Sequence, residues 1–128
     1  MPRVGKPINP PHVPATANLS QALRVGNLIF CSGQIGVTPD GTMAGAGIEE
    51  QATQAFENLK AVLAEAGADL SNVVKITAYL LDQADREQYI AVRSRYLEAP
   101  YPASTLVVVK SLARPEYRFE LDAIAAVE

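Results

Sequence analysis

The spacing of apolar and polar residues predicts two helices. Between residues 48 and 66 apolar side chains recur every three or four positions, which is the period of an amphipathic helix. Glu49 lies in its first turn, where negative charge complements the helix dipole, and Gly67 follows where helices often end. Asp85 is placed to cap a second helix, which Pro100 ends and whose buried side would carry Tyr89, Val92 or Arg93, and Tyr96.

The same pattern predicts strands around these helices. Residues 21–25 and 28–32 are short β-type segments, and Gly26 between them can supply the positive φ of a two-residue hairpin turn. Residues 73–81 alternate, so the side facing the core is expected to carry Val74, Ile76, Ala78 and Leu80. Residues 105–109 are a continuous apolar and β-branched stretch, which is typical of a fully buried strand, and residues 117–125 alternate again.

The predicted order is β-β-α-β-α-β-β, which indicates an α+β domain with two helices packed on one face of a sheet. The chain length fits a single domain over residues 1–128. Residues 1–16 carry repeated prolines, which cannot donate to a β-ladder, so we expect an extended arm and a fold that begins near Ala17. The sheet face opposite the helices is only half polar, which favours association with other subunits.

Composition and charge narrow the classes of partner. The net charge is −3 with a pI of about 5.2, and the cationic residues are scattered, which argues against nucleic acid and anionic membranes as partners. No apolar stretch approaches the roughly 20 residues of a membrane span. The N-terminal prolines contain no apolar core of a signal peptide, so we expect a cytoplasmic protein.

Metal and nucleophile chemistry is limited by single copies of histidine and cysteine. His12 lies in the N-terminal arm, away from any structured cleft, which argues against Ser-His-Asp and Cys-His sites. A zinc site of histidine and cysteine has too few ligands. Cys31 lies in an apolar segment and is expected to be a small buried hydrophobe. We therefore expect neither a metal nor a cofactor.

Glu120 is the strongest candidate for acid–base chemistry. It alternates with the apolar Phe119 and Leu121, so its carboxylate is expected to point away from the main core, toward a subunit interface. Partial desolvation there would raise its proton affinity, which suits action on a water molecule. The alternative interpretation is a surface ion pair with Arg118 or Lys110.

Several motifs together resemble the Rid (RidA/YjgF) family. Residues 25–35, Val-Gly-Asn-Leu-Ile-Phe-Cys-Ser-Gly-Gln-Ile, are similar to its hairpin followed by Ser-Gly-Gln. Further similarity lies in the first helix, the strand from Val73, the pair Pro102-Ala103 and the last strand, so the resemblance covers residues 17–126. It implies a chorismate-mutase-like fold with a mixed sheet, a homotrimer, and three clefts between subunits. Rid proteins hydrolyse enamine or imine metabolites to ammonia and a keto acid without a cofactor.

The resemblance also implies residues of that cleft. Gly33 and Glu120 match the family, in which a backbone amide at the Ser-Gly turn, Ser32-Gly33 here, assists binding and the glutamate orients the attacking water. The arginine that grips the substrate carboxylate in Rid proteins falls on Ser104, which is short and neutral. The cleft becomes more apolar at three further positions, where the family has a cysteine, an asparagine and an aromatic residue and this chain has Leu106, Ile90 and Leu19.

Such a cleft would take a small-molecule metabolite, and two hypotheses follow for what the protein does with it. In the first, the chain hydrolyses an enamine, imine or related reactive metabolite, with Glu120 acting on water, Ser104 and the Gly33 amide holding the reacting group, and Leu19, Ile90 and Leu106 packing the substrate body. A displaced arginine, Arg24, Arg93 or Arg114, would then replace the lost carboxylate grip. In the second, the trimer is a non-catalytic small-ligand-binding or interaction protein. The acidic balance argues against a third function attached to this family, endoribonuclease.

Overall fold

The computed structural model describes residues 3–13 and 17–128. These residues form six strands and two helices, with short 3₁₀ turns at Leu70–Asn72 and Gln83–Asp85. In chain order the elements are β1 (Lys6–Ile8), β2 (Ala22–Val25), β3 (Leu28–Ile35), α1 (Ile48–Glu65), β4 (Val73–Leu80), α2 (Arg86–Tyr96), β5 (Ala103–Val108) and β6 (Phe119–Ala126).

The strands form one mixed sheet in the order β1-β2-β3-β6-β4-β5. β4 and β5 are parallel, whereas every other neighbouring pair is antiparallel. α1 packs on β3, on β6 and on α2, so both helices cover the same face of the sheet. The α+β architecture predicted from the sequence is confirmed.

The core lies between the helices and this face of the sheet. Phe119, Leu121 and Ala123 of β6 are buried, which confirms the predicted alternation of that strand. The Tyr89 ring of α2 packs on Phe119 with ring centroids 5.2 Å apart, so α2 is anchored directly to β6. Cys31 is buried as predicted, and burial raises the pKa of its thiol to about 12, so it remains uncharged at neutral pH.

The predicted hairpin is confirmed, but its second strand is longer than expected. Gly26 has a φ of +59°, which a turn between β2 and β3 requires and glycine adopts without strain. β3 continues to Ile35 and carries a bulge against β6, because Cys31 pairs with Ala123 whereas Gln34 pairs with Leu121. One extra residue is thereby inserted between Cys31 and Gln34, where Ser32 and Gly33 lie.

The prediction of an arm without regular structure is wrong for part of the N-terminus. Lys6–Ile8 forms β1, which pairs antiparallel with β2, and Ile8 and Val13 belong to the buried core. Pro7 is tolerated because β1 is an edge strand of the sheet. An edge strand has a neighbour on one side only, so a proline without an N–H donor can be accommodated there. The fold therefore begins well before Ala17. Of the predicted arm, residues 1–2 and 14–16 lie outside the described residues.

Two strand faces also differ from the prediction. A register shift between Val73 and Lys75 in the β4–β6 pair turns Val74 outward, so Val73 enters the core in its place. β5, predicted to be fully buried, is the other edge strand, and most of its residues are exposed in the single chain. Its apolar sequence satisfies the pattern of a buried strand, but among the strands that the structure describes it pairs with β4 alone.

Asp85 precedes α2 as predicted, but its side chain does not cap the helix. Its carboxylate instead accepts a hydrogen bond from the Arg118 guanidinium at 2.7 Å, just before β6. Asp82 takes the capping role one turn earlier, since its carboxylate accepts from the Ala84 N–H at 2.9 Å. The Asp85–Arg118 pair joins the start of α2 to the start of β6.

Candidate active site

The predicted site residues lie on two different faces of the sheet. Ser104 of β5 pairs with the buried Ile76 of β4, and neighbours paired in parallel point to the same side, so Ser104 faces the helices. Glu120 pairs with Tyr79, which lies between the core residues of β4 and faces the other way. Ser104 and Glu120 of one chain therefore cannot meet in one pocket.

The first pocket surrounds Glu120, and we call it the carboxylate pocket. Its cavity measures about 680 Å³. The predicted residues Leu19, Ser32, Gly33 and Glu120 all line it, together with Arg114 and Tyr117 among others. The structure thus brings together four of the seven candidate residues that the sequence suggested.

The Glu120 carboxylate lies directly on the backbone of Gly33. A Cβ atom built on Gly33 would be 2.4 Å from Oε2 of Glu120 and 2.8 Å from its Cδ, so no larger residue fits without displacing the carboxylate. The bulge in β3 makes this approach possible because it inserts the Ser32-Gly33 pair into the strand beside β6. The close packing of Glu120 therefore explains why position 33 is glycine, the residue that also matches the Rid motif.

The electrostatics of Glu120 agree with the expectation from its sequence context. Burial raises the pKa of its carboxyl above the ordinary value, and the nearby negative charge of Asp122 raises it further. No ion pair to Glu120 is present among residues 3–13 and 17–128; Arg118 binds Asp85 instead, so the alternative of a Glu120–Arg118 pair is wrong. Asp122 accepts a hydrogen bond from the Tyr79 hydroxyl at 2.9 Å, which holds the second carboxylate in place.

Hydrogen bonds hold the bulge rigidly beside the pocket. The Ser32 N–H donates to the Gln21 carbonyl at 2.8 Å, and the Ser32 hydroxyl donates to the Ser20 carbonyl at 2.5 Å. The buried Gln34 amide donates to Oε1 of Gln21 at 2.8 Å. With its proton used by Ser20, the Ser32 hydroxyl can still accept a hydrogen bond from a ligand.

The second pocket lies between α2 and the edge strand β5, and we call it the serine pocket. It consists of two adjoining cavities of about 390 and 410 Å³ that share Ile90, Arg93 and Ser104. Leu106 lines the second cavity, and Tyr101 and Pro102 line the first. The remaining three predicted residues, Ile90, Ser104 and Leu106, are thus brought together here.

The three candidate arginines occupy different places. Nε of Arg24 donates to the Gly26 carbonyl at 3.1 Å within the hairpin, and Arg24 lines neither pocket. Arg114 is exposed and lines the carboxylate pocket. Arg93 lines the serine pocket beside Ser104.

Buried amides of α1 were missed by the sequence reasoning. Gln51 donates from its side-chain amide to the carbonyls of Gly45 and Glu116 and accepts from the Arg118 N–H, which fixes the two loops around the carboxylate pocket. Asn58 donates to the carbonyls of Ile35 and Val37. A detectable signal existed, because both amides occupy the apolar stripe of an amphipathic helix, where a polar side chain needs a buried partner.

Comparison with known proteins identifies the family. The model of the family described as Endoribonuclease L-PSP matches residues 10–127. The solved structure of RidA from an Antarctic Psychrobacter bacterium superposes with a TM-score of 0.90 at 35% identity, over 95% of this chain and 99% of that one. This chain belongs to the Rid family. A RutC family protein of Pyrococcus abyssi is 41% identical over 96% of this Rid chain and 91% of its own length.

A further Rid relative carries the name of an activity. The 2-iminobutanoate/2-iminopropanoate deaminase of Dermatophagoides farinae is 36% identical to this chain, over 85% of each sequence. Within the described parts of the chain, no group of three or more histidine, cysteine, aspartate or glutamate side chains is placed to hold a metal ion. Over the same residues, neither helix has the length and apolarity that crossing a membrane requires.

Proposed function

We propose that this Rid protein hydrolyses 2-imino acids, or the enamines that give rise to them, to 2-keto acids and ammonia. The observation that carries the proposal is the Glu120 carboxyl, which is half-buried, has a raised pKa and has no cationic partner in the part of the chain that the structure describes. Burial favours the protonated form of this carboxyl, and general acid–base catalysis requires a group beside the substrate that can donate and accept a proton. The deaminase named among the relatives supports the same reaction.

The reaction can be written with Glu120 as the only proton carrier. Protonated Glu120 donates to the imine nitrogen, and the resulting carboxylate takes a proton from the water whose oxygen attacks the imine carbon. The product is a carbinolamine, to whose nitrogen Glu120 returns a proton. The C–N bond then breaks as the C=O bond forms, ammonia leaves, and the hydroxyl proton restores Glu120 to its starting state.

The site would be completed by a second copy of the chain. Because Ser104 and Glu120 face opposite sides of the sheet, the serine pocket of one subunit must meet the carboxylate pocket of another for both to contact one substrate. The homotrimer implied by the resemblance would supply three such clefts. The exposed apolar side chains of the open sheet face and its edge, among them Phe30 and Val107, support association through this region. Light scattering should give three times the chain mass of 13.7 kDa; the mass of one chain would refute the assembly.

The activity can be tested with imines generated in place by an amino-acid oxidase. Wild type should accelerate hydrolysis of 2-iminopropionate or of a bulkier 2-imino acid, and Glu120→Gln should abolish the acceleration while the assembly persists. If Glu120→Gln keeps full activity, the role assigned to this carboxyl is wrong. A Ser104→Arg variant measured beside them shows whether the family's own grip improves turnover.

A non-catalytic ligand-binding function is the second candidate, and the replacement of the family's polar positions by Ser104, Ile90 and Leu106 favours it. It predicts that a 2-keto or 2-amino acid raises the melting temperature without any product being formed. RNA cleavage is not proposed, since a net charge of −3 opposes binding of a polyanion. Location in the cytoplasm stays a prediction.

A further inference from the structure

We propose that Arg93 binds the carboxylate of the substrate from α2, in place of the arginine that the family resemblance puts at position 104 on β5. The inference rests on the proposed function for its substrate class, a 2-imino acid with a free carboxylate. It assigns the binding of that carboxylate to a different element of the fold, the helix at the side of the cleft rather than the strand at its floor.

The first argument is position. Ile90 and Arg93 are three residues apart on α2, so they lie on the same side of the helix, and both line the two cavities that Ser104 also lines. A serine side chain at position 104 leaves the space that a long side chain would fill. Arg93 therefore borders the volume in which a ligand next to Ser104 would lie.

The second argument is that Arg93 is held in place by packing. Its guanidinium carbon lies 5.4 Å from the centroid of the Tyr89 ring, close enough for a cation–π contact. Tyr89 is fully buried and packs in turn on Phe119, so the surface under the guanidinium is rigid. An arginine fixed on an aromatic face loses less conformational entropy when it binds a carboxylate.

The third argument is that no carboxylate neutralises the charge of Arg93 within the described chain. Arg86, Arg95 and Arg118 each form an ion pair, with Glu87, Glu49 and Asp85 respectively. Arg93 forms none with the residues that the structure describes. Arg93 is half-buried and has no carboxylate partner there, and its guanidinium is suited to an anionic ligand because it has five N–H donors and can bind a carboxylate through two of them.

Arg114 and Arg24 fit this role less well. Arg114 is exposed and lines the carboxylate pocket, so a substrate carboxylate bound there would occupy the space beside Glu120 that the imine group needs. Arg24 is bound to its own hairpin. Binding at Arg93 instead leaves the imine carbon, rather than the carboxylate, to face Glu120 of the neighbouring subunit.

The test measures binding of 2-oxobutanoate, an unreactive carboxylate with the shape of the product, by calorimetry. Its neutral counterpart, 2-oxobutanamide, is measured in parallel. Arg93→Met should weaken binding of 2-oxobutanoate about 10- to 100-fold, the range for a lost charge-assisted pair, and should leave the weak binding of the amide unchanged. Arg93→Lys should lie between, because an ammonium keeps the charge but not the two-pronged geometry.

Arg95→Met is the matched control, since Arg95 lies on the same helix but pairs with Glu49 and lines neither cavity of the serine pocket. It should bind 2-oxobutanoate as wild type does. The inference is overturned if Arg93→Met binds 2-oxobutanoate as tightly as wild type, or if wild type does not prefer the acid over the amide. If Arg93→Met fails to assemble, Arg93→Lys decides: unchanged affinity overturns the inference, and weakened affinity supports it.

Turnover of 2-imino acids, measured separately, distinguishes failure of this inference from failure of the proposed function. A wild type that hydrolyses imines while Arg93→Met keeps its full kcat/KM refutes the role of Arg93 alone. If wild type binds 2-oxobutanoate through Arg93 but hydrolyses no imine, the proposed hydrolase function is refuted. The assignment of Arg93 to carboxylate binding is then still supported.

Discussion

Replacing Gly33 with alanine tests whether the position of the Glu120 carboxylate matters. The added Cβ would lie 2.4 Å from Oε2 of Glu120, and ordinary contact begins near 3.4 Å, so the carboxylate must move by about 1 Å. Misplacement of a catalytic group by about 1 Å can reduce turnover roughly 100-fold. We therefore expect kcat/KM for imine hydrolysis to fall by about two orders of magnitude in Gly33→Ala.

The stability of Gly33→Ala should change little. The new methyl group meets the end of a flexible side chain rather than backbone, and Gly33 does not have a positive φ. Alanine also restricts the unfolded chain, which offsets part of the clash by about 0.4–1 kcal/mol. The net change in the free energy of unfolding should stay within about 1 kcal/mol, a few degrees in melting temperature.

Gly36→Ala is the matched comparison, because its Cβ would lie 2.5 Å from the backbone Cα of Gln51 in α1. Backbone cannot move aside as a side chain can, so this variant should lose about 1–3 kcal/mol of stability. Gly36→Ala should therefore lower the melting temperature more than Gly33→Ala does. Gly33→Ala should lower the rate of imine hydrolysis more than Gly36→Ala does. Full kcat/KM in a well-folded Gly33→Ala protein would refute the reasoning, since catalysis would then tolerate a displaced Glu120.

Three further predictions concern stability. Because the pKa of Glu120 is raised in the folded state, its ionisation destabilises the fold as the pH rises above the ordinary pKa of 4.5. Glu120→Gln should therefore melt at a higher temperature than wild type at pH 7, and this gain should disappear below pH 4.5. A difference in melting temperature that stays constant with pH would show that the charge is not responsible. Asp85→Asn should cost about 1 kcal/mol in denaturant unfolding, no more because the Arg118 side chain is 40% exposed and solvent screens the pair; a neutral result would mean that the pair does not hold α2 to β6. Phe119→Ala should cost about 3–5 kcal/mol, since the ring is fully buried; a loss under 1 kcal/mol would contradict its place in the core.

Much of the fold could be read from local pattern. The amphipathic stripe that begins at Ile48 and the glycine turn at Gly26 predict α1 and the hairpin, because helix period and turn geometry depend on neighbouring residues. The alternation around Glu120 likewise predicts that its carboxylate leaves the main core. The elements that were misread all depend on distant pairing: β1 beside β2, the bulge that turns Val74 outward, and β5 as an edge strand.

For the candidate site, too, local sequence predicted some features and only the tertiary structure decided others. Strand alternation, a property of adjacent residues, was enough to single out Glu120, whereas Gly33 and Ser104 were named through the resemblance to the Rid family. Only the folded chain separated Ser104 from Glu120 on opposite faces of the sheet and placed Arg93 of α2 beside Ser104 of β5. Strand register and the packing of α2 against the sheet are set by contacts between residues far apart in the chain, and the spacing of residues within a segment does not encode them.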